Sequence, residues 1–118
     1  MQTNYRIIRT DGSIEECTAD LPERPLYHQL AAIVGPILKA NRIDANIEHV
    51  TVLSDDGYRT DMFVDEEGVL HGLPVNAEAT RIYHRASIAR GEKHNLGIIP
   101  NAPCIHGVAI YFERRVWW

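Results

Sequence analysis

The sequence predicts a single α+β domain spanning residues 1–118, with a five-stranded antiparallel or mixed sheet and two helices gathered on one of its faces. Three observations carry this expectation. Two Asp-Gly pairs, Asp11-Gly12 and Asp56-Gly57, each join segments rich in β-branched and aromatic residues, the pattern of a β-hairpin. Two other stretches, around Leu26 to Val34 and from Ala77 to Arg90, repeat apolar residues at helical intervals. A chain of 118 residues also suits one core without staples, because a domain of this size buries roughly two-thirds of its unfolded surface.

Taken in order, Tyr5 to Thr10 and Ser13 to Thr18 form the first hairpin, with Asp11-Gly12 as a two-residue turn. Leu21-Pro22 breaks the strand, and Pro25 fits the first turn of a helix that starts near Arg24. Gly35-Pro36 predicts its end near Val34, with 37–43 open between a resumed helix and an edge strand. Ile47 to Leu53 and Tyr58 to Val64 make the second hairpin, with Asp55-Asp56-Gly57 as its turn. Asn76 is a good N-cap, with Glu78 in the first turn of a helix that runs to about Arg90 and stops at Gly91. That helix buries Ala79, Ile82, Tyr83 and Ala86 and turns Arg81, His84, Arg85 and Ile88 outward. A loop from Lys93 to Pro103 leads to Ile105 to Phe112, apolar on both faces and therefore a central strand.

The net charge of −4 argues against a duplex-DNA binder, whose footprint is normally basic. No apolar run approaches the roughly 18 residues that would cross a bilayer, and the N-terminus lacks a signal-peptide core, so a cytoplasmic location is expected. Cys17 and Cys104 lack metal or redox spacing and read as buried free thiols. No cofactor is expected. Acidic residues crowd 55–67 and basic ones 81–94, which predicts a dipolar surface if both are exposed.

The segments LAAIVG (30–35), FVDEEGVLHGLPVNAEATRIYH (63–84) and IHGVAIYF (105–112) resemble a family of small, largely phage-encoded proteins known only as a domain of unknown function. In that family a strand runs into "vdE.G.l.glp.N..At", then a helix, then a strand opened by a glycine, here Gly107. Pro36 departs from the pattern, where the family often carries a flexible residue. The resemblance covers about half the chain and implies a phage context and an accessory role during infection rather than a catalytic mechanism; the preferred reading is an immune-evasion factor inside an infected host cell.

No nucleotide-binding, zinc-protease or nucleophile-elbow signature is present. Asp65, Glu66, His71 and His84 form the best acid/base set, against a plain reading as a solvated acidic turn with surface histidines. Cys104 and His106, with His71 or His94, make only a weak metal set, and no metal site is expected. The sharper candidate is an anion site on the second helix. Arg81, His84 and Arg85 share a face, Lys93 and His94 follow, and Asn76 and Thr80 could meet sugar hydroxyls while Tyr58 or Tyr83 stacks a base. The competing reading pairs that face with the acidic hairpin. The tail, 113–118, carries Arg115, Trp117 and Trp118, residue types enriched at interface hot spots, which predicts self-association or partner docking. Three functions follow: sequestration of a nucleotide-derived defence signal, inhibition of a host defence protein through 55–67, and a small hydrolase centred on His71 and His84.

Overall fold

The computed structural model describes residues 1–89 and 103–118. Lys93, His94, Gly91 and the end of the second helix at Arg90 lie outside the described residues. The elements are β1 (Gln2–Ile8), β2 (Ile14–Asp20), α1 (Tyr27–Asn41), β3 (Ile47–Leu53), β4 (Arg59–Asp65), α2 (Ala77–Ala89) and β5 (Ala109–Phe112). They make one five-stranded sheet in the order β2-β1-β5-β4-β3, with every pairing antiparallel. The last strand is central, as its two apolar faces predict.

Both hairpins form: the first turn differs from the expected two-residue Asp11-Gly12, and the second is the expected Asp55-Asp56-Gly57. Arg9 and Ser13 pair across a loop closed by the Gly12 N–H on the Arg9 carbonyl, and Ser54, Gly57 and Tyr58 repeat the arrangement. Among the described residues only glycines have positive φ, with Gly12 at 89° and Gly57 at 85°. A two-residue type I′ turn would need positive φ at the aspartate too, so each Asp-Gly completes a three-residue loop whose glycine makes a bulge.

The helices lie on opposite faces, not gathered on one. Alternation along β5 separates Ile110 and Phe112 from Ala109 and Tyr111. The first pair joins Ile7, Phe63 and the α1 residues Leu30, Val34 and Leu38. The second joins Ile8, Met62, Val64 and the α2 residues Ala79, Ile82 and Ala86. Two-sided burial explains why Thr60 through Asp65 are all buried, including two aspartates that look solvated in the sequence.

Gly35-Pro36 does not end α1. The helix begins at Tyr27, later than expected, and continues through Pro36 to Asn41. Proline disfavours a helical residue before it because its ring meets that residue's Cβ, and Gly35 has none. The missing amide of Pro36 still removes one helical bond, but burial of Leu30, Val34 and Leu38 on one stripe outweighs it. Apart from its chain neighbours, a Cβ added at Gly35 would meet nothing within 4 Å, but one of those neighbours is Pro36. Gly35→Ala is therefore expected to forfeit the roughly 0.5–1 kcal/mol that reduced backbone freedom would bring, because its Cβ would meet the Pro36 ring, and urea denaturation should show no stabilisation.

The β5 strand is shorter than the predicted 105–112 because Gly107, at φ 86°, breaks it, leaving His106 in an isolated bridge with Val75. A side chain at 107 would lie 2.7 Å from Leu73 Cδ1. The glycine that opens the final strand is thus required by its backbone conformation, while the end of the Leu73 side chain would have to shift to admit a Cβ.

Candidate functional site

The predicted ligand residues separate into two groups. Asn76 is fully buried, and its side-chain oxygen accepts the Ala79 N–H while its amide donates to the Ile8 and Gly107 carbonyls, both at 2.9 Å. It therefore caps α2 and ties that helix to β1 and to the entry of β5. Thr80 is buried as well, and its hydroxyl accepts the Ile105 N–H at 2.9 Å. Both side chains serve the fold and turn away from the helix's outer face.

On that outer face the cations have partners within the chain. Arg81 makes two bonds to Glu78 on the preceding turn, which lowers the Glu78 carboxyl from its ordinary value. The Nε2 atom of His84 meets the Pro103 carbonyl. Arg85 donates to the Ser54 carbonyl at 2.6 Å and lies 3.8 Å from the Asp55 carboxylate, at the tip of the second hairpin. The competing reading, that this face pairs with the acidic hairpin, describes Arg85.

The acidic stretch is not one surface. Asp65 is buried against Arg42, with guanidinium-carboxylate bonds of 2.7 and 3.0 Å, and accepts the N–H groups of Asn46 and Glu67. Arg42 foremost, against the opposing effect of burial, holds the Asp65 carboxyl below its ordinary value. A depressed folded value means that the unfolded chain binds the proton more readily. This contribution to stability is complete above about pH 4 and is lost as pH falls through the folded value. Acid titration of unfolding is expected to show a shallower loss below about pH 4 in Asp65→Asn than in the parent chain. An equal slope in both proteins would remove Asp65 as a source of acid sensitivity.

Asp61 is the second buried carboxylate. It accepts the backbone N–H groups of Val116 at 2.7 Å and Trp117 at 3.0 Å, meets His49 Nε2 at 2.6 Å and lies 3.4 Å from Arg59. The Trp117 ring stacks on His49 with centroids 4.9 Å apart, and Val116 is fully buried. Arg114 continues the attachment with bonds to the Thr3 hydroxyl and the Pro22 and Glu23 carbonyls. The tail therefore docks on its own domain. Trp118 remains half exposed between the Arg24 and Arg115 guanidiniums, 5.1 and 4.9 Å away, while Arg115 also donates to the Trp117 carbonyl.

The acid/base set is not gathered. His71 pairs with Glu67, His84 with Pro103, and Asp65 with Arg42. His106 Nδ1 meets the Leu73 carbonyl, and among the described residues no group of three His, Cys, Asp or Glu side chains could hold a metal ion. Cys17 is half buried and Cys104 exposed, rather than both buried.

Sequence reasoning missed a recess of about 550 Å³ between the second half of α1 and the first hairpin turn. Ile7 and Val108 form its floor, Pro36, Ile37 and Ala40 one wall, and Arg9, Thr10, Asp11 and Asn41 the polar rim. Hydrogen bonds from Ser13 hold the Asp11 carboxyl below its ordinary value, and Arg9 is braced by Glu15 at 2.7 Å. The recess depends on α1 continuing past Pro36, which the Gly-Pro pair conceals. No helix among the described residues is long and apolar enough to cross a membrane. No family model matches the chain, and no curated protein or solved structure matches it.

Proposed function

We propose that this chain is a phage accessory protein that acts by binding, sequestering a nucleotide-derived defence signal in the recess between α1 and the first hairpin. The observation that carries the reading is the lining of that recess. Its volume falls within the roughly 300–1,000 Å³ of small-ligand sites, and it joins an apolar floor to a few polar groups at the rim. A base lies against Pro36, Ile37 and Val108, the Arg9 guanidinium receives phosphate oxygens, and Asp11 accepts sugar hydroxyls. The phage setting rests on the resemblance of residues 63–84. The recess takes the place of the Arg81, His84 and Arg85 face for its enclosed apolar lining and not for an unengaged cation, since Arg9 is paired with Glu15 as Arg81 is with Glu78.

Calorimetry against cyclic and ADP-ribose-type nucleotides is expected to give heat with at least one of them, and the nucleotide should be recovered intact after the complex is denatured. Arg9→Ala should weaken that binding about tenfold or more, the loss of one charge-assisted hydrogen bond, whereas Arg81→Ala should leave it unchanged. No heat with any nucleotide sinks the proposal. Equal affinity in parent and Arg9→Ala moves the site elsewhere.

A second reading, inhibition of a basic host protein, is supported by the tip of the second hairpin. Tyr58 is 76% exposed there, beside the exposed Asp55 and Asp56. That contact would be salt-sensitive and lost on reversing Asp55 and Asp56. Asp61 and Asp65 take no part in it, because both are buried.

A further inference from the structure

The geometry points to a second copy of this chain as the partner of the β2 edge, in a symmetric antiparallel pairing centred on Cys17. Strand β2 is one of the two outer strands of the sheet, and it is exposed along most of its length, with only Cys17 and Ala19 packed against the α1 side of the core. Its seven residues pair one-to-one with β1 without a bulge and contain neither proline nor lysine, the usual devices that keep an edge from pairing.

Hydrogen-bond parity fixes which groups the edge offers. Ser13 pairs with Arg9 at one end of the hairpin, and the Leu21 N–H reaches the Met1 carbonyl at the other. Alternation between these ends turns the main-chain groups of the odd-numbered residues towards β1 and those of Ile14, Glu16, Thr18 and Asp20 outward.

Overlap and charge together select the register, since centring on Ala19 also keeps carboxylates apart but leaves only Thr18 and Asp20 of the strand to exchange main-chain bonds. A twofold axis perpendicular to the sheet keeps each face continuous, so paired residues must have the same parity. Centring on Glu16 opposes Glu16 to its own copy, and centring on Thr18 opposes Glu16 to Asp20. Centring on Cys17 sets Glu16 against Thr18, Glu15 against Ala19 and Asp20 against Ile14. No carboxylate then faces another, and each even-numbered pair exchanges two main-chain hydrogen bonds. The remaining repulsion is reduced within each hairpin. Glu15 is bonded to Arg9, Glu16 lies 3.6 Å from Arg6, and Asp20 is paired with the N-terminal amine.

This register places Cys17 opposite Cys17 of the second copy in a pair without main-chain hydrogen bonds. The Cα separation of such a pair is about 4.5 Å, at the short end of the range that a disulfide spans. Burial raises the Cys17 thiol above its ordinary value, so the thiols are expected to stay reduced until an oxidant is supplied.

Light scattering and sedimentation should show a reversible dimer. Thr18→Glu, which places a second carboxylate opposite Glu16, should weaken it about tenfold, and Thr18→Lys should tighten it by a similar factor. Both variants lose the same hydroxyl contact to Asn4, so the difference between them reads the cross-strand charge alone. In a Cys104→Ser background, where Cys17 is the sole thiol, diamide should take one hydrogen from each thiol and give a disulfide-linked dimer on a non-reducing gel. A chain that stays monomeric from micromolar to millimolar concentration overturns the inference. So does a dimer indifferent to the Thr18 pair, or one without the Cys17 cross-link.

Discussion

Asn76→Ala is expected to cost about 3–5 kcal/mol of folding stability, a large fraction of the roughly 5–15 kcal/mol typical of a domain. Loss of the N-cap accounts for about 1 kcal/mol. The larger part comes from the Ile8 and Gly107 carbonyls, which lose their bonds from the Asn76 amide inside the protein. A buried polar group left without a partner costs about 1–3 kcal/mol. Asn76→Asp separates the two duties. It keeps an oxygen for the Ala79 N–H but directs a carboxylate at two carbonyl oxygens, so it should be at least as damaging as alanine. Urea denaturation of both variants is the measurement. If alanine costs only about 1 kcal/mol and aspartate is neutral, Asn76 is a helix cap and nothing more.

Asp61→Ala should release the C-terminal tail while leaving the sheet folded, at a cost of about 3–4 kcal/mol. The substitution removes the acceptor for the Val116 and Trp117 N–H groups and the partner of His49. The two tryptophans of the chain, Trp117 and Trp118, both lie in the tail, so intrinsic fluorescence reports its docking directly. Emission is expected to shift to the red under conditions where far-ultraviolet circular dichroism is unchanged, as Trp117 leaves its stack on His49 and its edge contact with Phe63. Unchanged emission would mean that Val116 burial and the Arg114 bonds hold the tail without the carboxylate.

Both expectations rest on residues whose neighbours are distant in sequence, and this decides how much could be read beforehand. The hairpins, the central last strand and the Asn76 cap were legible because turn chemistry and alternation act over a few residues. The continuation of α1 was not, because local rules weigh Pro36 without knowing that Leu38 has a buried place waiting. The site was less legible than the fold. Arg81, His84 and Arg85 do share an outer flank of α2, but sequence spacing cannot tell a free cation from one engaged by Glu78 or by a carbonyl. Asp61 and Asp65 read as solvated because most aspartates are, and only their partners at His49, Arg42 and the tail show otherwise.

By itself the sequence determined an α+β domain with a five-stranded sheet, two turns that end in Asp-Gly, and a helix launched from Asn76. These depend on backbone preference and apolar period, which each segment carries within itself. The tertiary structure decided that the helices take opposite faces, that two acidic side chains hold the interior and the tail, and that a recess opens beside α1. The physical reason is that burial and charge pairing are properties of what meets in space, and a residue's own segment does not record its partner.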